Sequence, residues 1–150
     1  MQRGRLWLVC GNSTSWGKGC AGRRFVRREE FEALVEEALA SLPDEFLNAL
    51  ENIEVIVEDR PTAEELERVG ISPQSRRTLL GLYHGVPLTE RGVWYAGVEP
   101  DLITIYQQPI EMVAGQDADA IRSQVRTTVL HEVAHYFGID DERLEELGWG

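Results

Sequence analysis

His131-Glu132-Val133-Ala134-His135-Tyr136-Phe137-Gly138-Ile139-Asp140-Asp141 closes the longest helical pattern in the chain, Asp117 to Phe137, and decides how the rest is read. Residues i and i+4 of a helix lie about 40° apart around the axis and about 6 Å apart along it. His131 and His135 therefore share a face, and two imidazoles can converge on one metal ion without distorting the backbone. Glu132 sits about 100° further round, where a carboxylate reaches a water on the metal instead of the metal itself, the place of a general base. Three fixed positions recur by chance in roughly one chain of this length in a few hundred, so the surroundings must decide. Val129, Leu130, Val133, Ala134 and Phe137 flank the motif. The helix is thus expected to be central and mostly buried, and a buried imidazole pair needs a partner.

Two histidines leave zinc short of the three protein ligands of a catalytic site. Gly138 stands where the helix should end in a left-handed turn, which swings the chain back towards the pair three residues later. That makes Asp141 the preferred third ligand. Asp140 directly precedes Asp141-Glu142-Arg143-Leu144 and suits the N-cap of a last helix, about Asp141 to Leu147. Glu145 and His84 are held in reserve as ligands.

Upstream of this helix the patterns are regular. Phe31, Leu34, Val35, Ala38, Leu39 and Leu42 recur at helical steps, and Pro43 interrupts them before a second short helix, Asp44 to Leu50. Ile53 to Glu58 is a β-branched strand ending at Asp59-Arg60-Pro61. Thr62-Ala63-Glu64-Glu65 is a capping box, opening a helix that Gly70 closes. Residues 79–100 read as loop with short strands, and Leu102 to Tyr106 as a second firm strand. Strands that do not alternate strictly with helices point to the α+β class.

Composition limits the function. With 150 residues, 43% of them apolar, the chain has the size of one domain and enough material for a core. A formal charge of -11 argues against a nucleic-acid partner, which asks for surplus Lys and Arg. The longest apolar runs, Leu6 to Cys10 and Val93 to Val98, fall far short of the roughly 18 to 20 residues of a membrane helix, so no membrane partner is expected. The charge is unevenly divided: residues 1–28 carry seven basic side chains and no acid, the remainder 8 basic and 26 acidic. Residues 1–27 are therefore read as a basic, poorly ordered arm and 28–150 as the folded domain. Within the arm, Leu6 to Lys18 imitates a phosphate loop and fails as one. Five residues separate Gly11 from Gly17 where four are needed, and Gly19 follows Lys18 where Ser or Thr should hold magnesium. The apolar run is also too short for a secretory signal, so a cytoplasmic location is expected. Cys10 and Cys20 are read as inert thiols.

His131-Glu132-x-x-His135-x-x-Gly138-x-x-Asp141 resembles the variant zincin motif in which Asp replaces the third histidine of the metzincins, and the chain resembles the bacterial minimal zincins, small metallopeptidase-family proteins. The resemblance runs from about Arg28 to Gly148. It takes in Phe31 to Leu42, Glu58-Asp59-Arg60-Pro61, Leu80 to Thr89 and Asp101 to Ile110. It implies a minimal zincin-like fold, a small mixed β-sheet packed on helices with a central active-site helix, and the strand near Leu102 to Tyr106 as the substrate edge. The methionine turn and a C-terminal wall of the cleft are missing from the pattern.

The resulting expectation is a monomeric zinc metallopeptidase acting on a peptide or protein, with His131, His135 and Asp141 as metal ligands and Glu132 activating water. The alternative is a zinc-stabilised binding module without peptidase activity. Two histidines and a carboxylate also make the facial triad of non-haem iron enzymes; the helical spacing favours Zn2+. A peptidase further needs a donor for the tetrahedral oxyanion. Tyr95, Tyr106 and His84 are available, each read first as a packing or loop residue.

Overall fold

The computed structural model describes residues 8–10, 26–72, 74–93, 95 and 99–146. In chain order the elements are β1 (Leu8–Cys10), α1 (Arg28–Ala40), α2 (Asp44–Ala49), β2 (Ile53–Glu58), α3 (Ala63–Arg68), β3 (Arg77–Leu79), β4 (Gly81–His84), a 3-10 turn (Leu88–Glu90), β5 (Asp101–Tyr106), α4 (Gln107–Ala114), α5 (Ala118–Tyr136) and α6 (Asp141–Glu146). This is an α+β fold. Most of the basic arm, including the failed phosphate loop and Cys20, lies outside the described residues. Three of its residues, Leu8 to Cys10, pair antiparallel with Arg77 to Leu79.

The main sheet has the order β2-β5-β4. β5 pairs in parallel with β2, Ile53 opposite Asp101 through Glu58 opposite Tyr106, and antiparallel with β4, Gly81 opposite Ile105 through His84 opposite Leu102. The expectation that Leu102 to Tyr106 forms the substrate edge is thus corrected: β5 is the central strand, hydrogen-bonded on both sides, and the edges are β2 and β4. Strand alternation divides the sheet between two cores. Tyr83, Ile103 and Ile105 face the helices, where Phe31, Val35 and Ala38 of α1 and Ile121, Val125, Val129 and Val133 of α5 complete the main core. Leu82 and Tyr106 face the other way and pack with Leu79, Val69 and Ile71.

Local signals account for the element ends. Thr62 accepts from the Glu65 N–H at 3.2 Å while Glu65 accepts from the Thr62 N–H at 2.7 Å, closing the capping box of α3. Asp117 caps α5 by accepting from the Ala120 N–H at 2.9 Å. Helix α4 was not anticipated. It begins directly after β5, at Tyr106 without a side-chain cap, and carries Pro109 in its first turn, where a missing N–H does no harm. No helix among the described residues is long and apolar enough to cross a membrane.

Ile103 is fully buried at the centre of the main core. Ile103→Ala should lower the unfolding free energy by about 3 kcal/mol, against about 1 kcal/mol for loss of the exposed cap in Thr62→Ala. Urea denaturation of both variants checks the ranking.

Candidate metal centre

Three consecutive turns of backbone build the site. The last two turns of α5 carry His131, Glu132 and His135, and Gly138 then ends the helix with φ at +82°. The Gly138 N–H donates to the His135 carbonyl and the Ile139 N–H to the Ala134 carbonyl, both at 3.0 Å, the paired bonds of a Schellman ending. A residue with a side chain is strained at that φ. The reversed chain delivers Ile139, Asp140 and Asp141 to the exposed end of the histidine face.

Each of the three does something different. The Ile139 carbonyl lies 3.0 Å from His135 Nδ1. With Nδ1–H donating there, His135 Nε2 is left as a lone pair, the tautomer a metal ligand requires. Asp140 accepts from the Arg143 N–H at 3.0 Å and caps α6. Asp141, first residue of α6, turns Oδ1 to within 2.9 Å of His131 Nε2 and 3.3 Å of His135 Nε2. The ligand atoms of His131, His135 and Asp141 all lie within 4.8 Å of one another.

This arrangement fits a metal ion. Ligands about 2.0 to 2.2 Å from a tetrahedral zinc stand about 3.3 Å apart, close to the two separations from Asp141. His135 Nε2 is buried and makes no hydrogen bond of normal geometry, although Asp141 is near; a lone pair so placed suits a cation better than a misdirected hydrogen bond. Burial lowers the pKa of His131, with the second imidazole adding to the fall, which favours the neutral, ligating ring. For His135, burial is outweighed by the carboxylates of Asp141 and Glu132, and the net direction in the metal-free protein is upward. Burial alone would raise Asp141, but the two imidazoles hold it well below the usual carboxylate range and keep it ionised. Its side chain is 45% exposed while those of the histidines are 3% exposed, so the site opens on the aspartate side.

Glu132 projects from the same helix towards β4. A Cβ built on Gly81 would stand 2.9 Å from Glu132 Cγ and Oε1, so only a glycine lets the strand lie this close. Neither carboxylate oxygen makes a hydrogen bond of normal geometry; the Tyr83 backbone lies near enough only to favour the charged form. Burial pushes the Glu132 pKa up to about 8, Asp141 adds to the rise, and His135 opposes it.

The remaining candidates lie elsewhere. His84, on β4, has Nε2 3.8 Å from Glu65 Oε1 and does not join the ligand group. Glu145 is exposed on α6. The Tyr95 hydroxyl donates to Asp101 at 3.1 Å, and Tyr106 is wholly buried in the second core beside Glu65. Two features escaped sequence reasoning. An isolated glycine in the apolar run Leu80 to Tyr83 was a usable sign of the close approach to Glu132. The Ile139 carbonyl carries no side-chain signal at all.

The raised pKa of Glu132 has a consequence for the metal-free protein. Between pH 4.5 and about 8 the unfolded chain has released this proton and the folded chain has kept it, so stability falls as pH rises through that window. Glu132→Gln removes the dependence. In chelator-treated samples the variant should match the wild type near pH 4 and melt higher at pH 8, by roughly a few kcal/mol of stability at about 1.4 kcal/mol per pH unit. Equal melting of the two at every pH would contradict it.

No curated protein matches the chain. A solved structure of a conserved hypothetical protein from Thermus thermophilus is similar at 26% identity, covering 81% of this chain and 97% of its own, with a TM-score of 0.49. A family model described as zincin-like metallopeptidase matches residues 50–149, a span that includes β2, the whole main sheet and all four of the residues His131, Glu132, His135 and Asp141. The chain belongs to the zincin-like metallopeptidase family.

Proposed function

We propose that this protein is a zinc-dependent peptidase in which His131, His135 and Asp141 hold the metal and Glu132 is the general base. The observation that carries the reading is the convergence of three ligand atoms, two from α5 and one from the start of α6, with a buried carboxylate beside them that makes no hydrogen bond of normal geometry. Three ligands with one solvent-facing side is the pattern of a catalytic zinc; a structural zinc is closed by four. This favours the peptidase over the binding module.

Zinc bound there would lower the pKa of a water from 15.7 towards roughly 7 and polarise a peptide carbonyl. With a metal cation beside it to keep it ionised against the burial that raises its pKa in the metal-free protein, Glu132 takes the proton of the attacking water onto its carboxylate, beside Gly81. It then gives that proton to the leaving amine as the C–N bond breaks, so each turnover consumes one water and returns Glu132 to its starting state. His135, fixed by the Ile139 carbonyl, keeps its Nε2 directed at the site throughout. The outer edge of β4 is the place for substrate: β5 occupies the other side of that strand, and Gly81 of β4 stands directly against Glu132.

Elemental analysis of protein purified without a metal-affinity tag should find about one zinc per chain in the wild type and much less in Asp141→Ala. Glu132→Gln should keep the metal and lose peptide hydrolysis by about 10²- to 10⁴-fold. A chain that takes up no zinc even when it is supplied, or a Glu132→Gln variant with unchanged turnover, would refute the assignment.

A further inference from the structure

The turn that presents Asp141 leans on a second segment. Between β4 and β5 the chain makes the Leu88–Glu90 turn, and Thr89 occupies the space that a side chain at Gly138 would need: its Cγ2 and Cβ lie 2.7 and 2.9 Å from a Cβ built there. Leu88 beside it packs against the main core. The far end of the segment is fastened by Arg91. Its Nε donates to the Val86 carbonyl at 2.8 Å, a terminal guanidinium nitrogen pairs with Asp101, and the guanidinium lies 4.5 Å from the Tyr95 ring and 5.2 Å from that of Tyr136. Asp101, 3% exposed at the start of β5, also accepts from the hydroxyls of Tyr83 at 2.7 Å and Tyr95 at 3.1 Å. Tyr136 follows His135 in α5, and its hydroxyl donates to the Glu51 carbonyl at 3.1 Å. One guanidinium therefore ties β4, β5 and the last turn of α5 to the segment that rests on Gly138.

We infer that Thr89 and Arg91 form a brace that positions Asp141 against His131 and His135, and so sets the affinity of the site for its metal. The inference rests on the metal-site reading above. Gly138 is exposed and the Asp141 side chain is nearly half so, and Thr89 stands against Gly138 on that outer side of the turn. Neither Thr89 nor Arg91 belongs to the group of ligand atoms, so both act through Asp141 as positioning residues. Groups that orient a ligand typically change metal affinity by about 10- to 100-fold when lost. Arg91 is the riskier one to alter, since its removal leaves Asp101 buried without its cation. Thr89 is exposed, and its truncation should leave the fold alone.

The test is zinc affinity of the full chain, by competition with a chromophoric chelator, alongside thermal melting of the metal-free form. Thr89→Ala should weaken zinc binding about 10-fold while the metal-free melting temperature stays within about 2 °C. Arg91→Lys, which keeps the charge and loses the planar fork, should weaken it as well; if that variant fails to fold, Thr89→Ala decides. In an Asp141→Ala background Thr89→Ala should change nothing further, because the brace works only through that aspartate. Unchanged affinity in Thr89→Ala, or an equal loss in the Asp141→Ala background, overturns the brace and leaves the metal site standing. A wild type that binds no zinc overturns both.

Discussion

Burial of polar groups at the end of α5 is the constraint on which the site, the turn after it and the sheet above it all depend. His131, Glu132 and His135 are 4%, 0% and 3% exposed on a helix whose other face is packed with Val125, Val129 and Val133. An unpaired buried charge costs several kcal/mol, so such residues on a core helix call either for partners or for a role that needs their atoms unpartnered. The Gly138 turn brings two partners from three residues of chain, the Ile139 carbonyl and the Asp141 carboxylate. Gly81 opens room for Glu132 and offers it almost nothing to bond with. The atoms left without good hydrogen bonds, both Glu132 oxygens and His135 Nε2, are the ones the proposed chemistry uses.

The sheet illustrates how apolar density can mislead. Leu102-Ile103-Thr104-Ile105-Tyr106 is apolar at nearly every position, which makes it an easy strand to recognise and a poor candidate for an edge. A strand buried on both faces reads as a continuous apolar run, and this one has the main core on one side and the Leu82 and Tyr106 cluster on the other. The edge next to Glu132 is the Gly81 to His84 strand, short and containing glycine, whose sequence gives it a much weaker signature.

What could be read from sequence follows from which interactions are local. Helices α1, α3 and α5 have an apolar stripe, a capping side chain or a terminal glycine, and all three are legible, as is β2. The ligand spacing on α5 is local in the same sense, and Gly138 carries the inference three residues further to Asp141. Helix α4 resists this kind of reading because its buried face mixes polar residues with Pro109 and Ile110. Gln107 and Glu111 are 0% and 1% exposed, and they hold the backbone of Val26: the Gln107 amide donates to its carbonyl at 2.8 Å and its N–H donates to Glu111 at 3.2 Å. Nothing in the periodicity of residues 107–114 announces partners 81 and 85 positions away. The Arg91, Asp101, Tyr83 and Tyr136 cluster is hidden for the same reason, since its members meet only when β4, β5 and α5 assemble.

Adjacent aspartates with different work show how finely the terminal turn is divided. Asp140 binds the Arg143 N–H through its side chain and the Leu144 N–H through its carbonyl, which fixes where α6 begins. Asp141 is then the first helical residue, and its side chain, not needed as a cap, is free to turn back to the histidines. Had the helix begun one residue later, Asp141 would be the cap and its oxygens would face the amides of α6. Buried Leu144 locks the register from the other side, since sliding α6 by one residue would move it out of its apolar setting. The register of α6, and with it the place of the third candidate ligand along that helix, is therefore set by a cap and an apolar anchor that do not touch the site, while the Gly138 turn directs the chain back to the histidines.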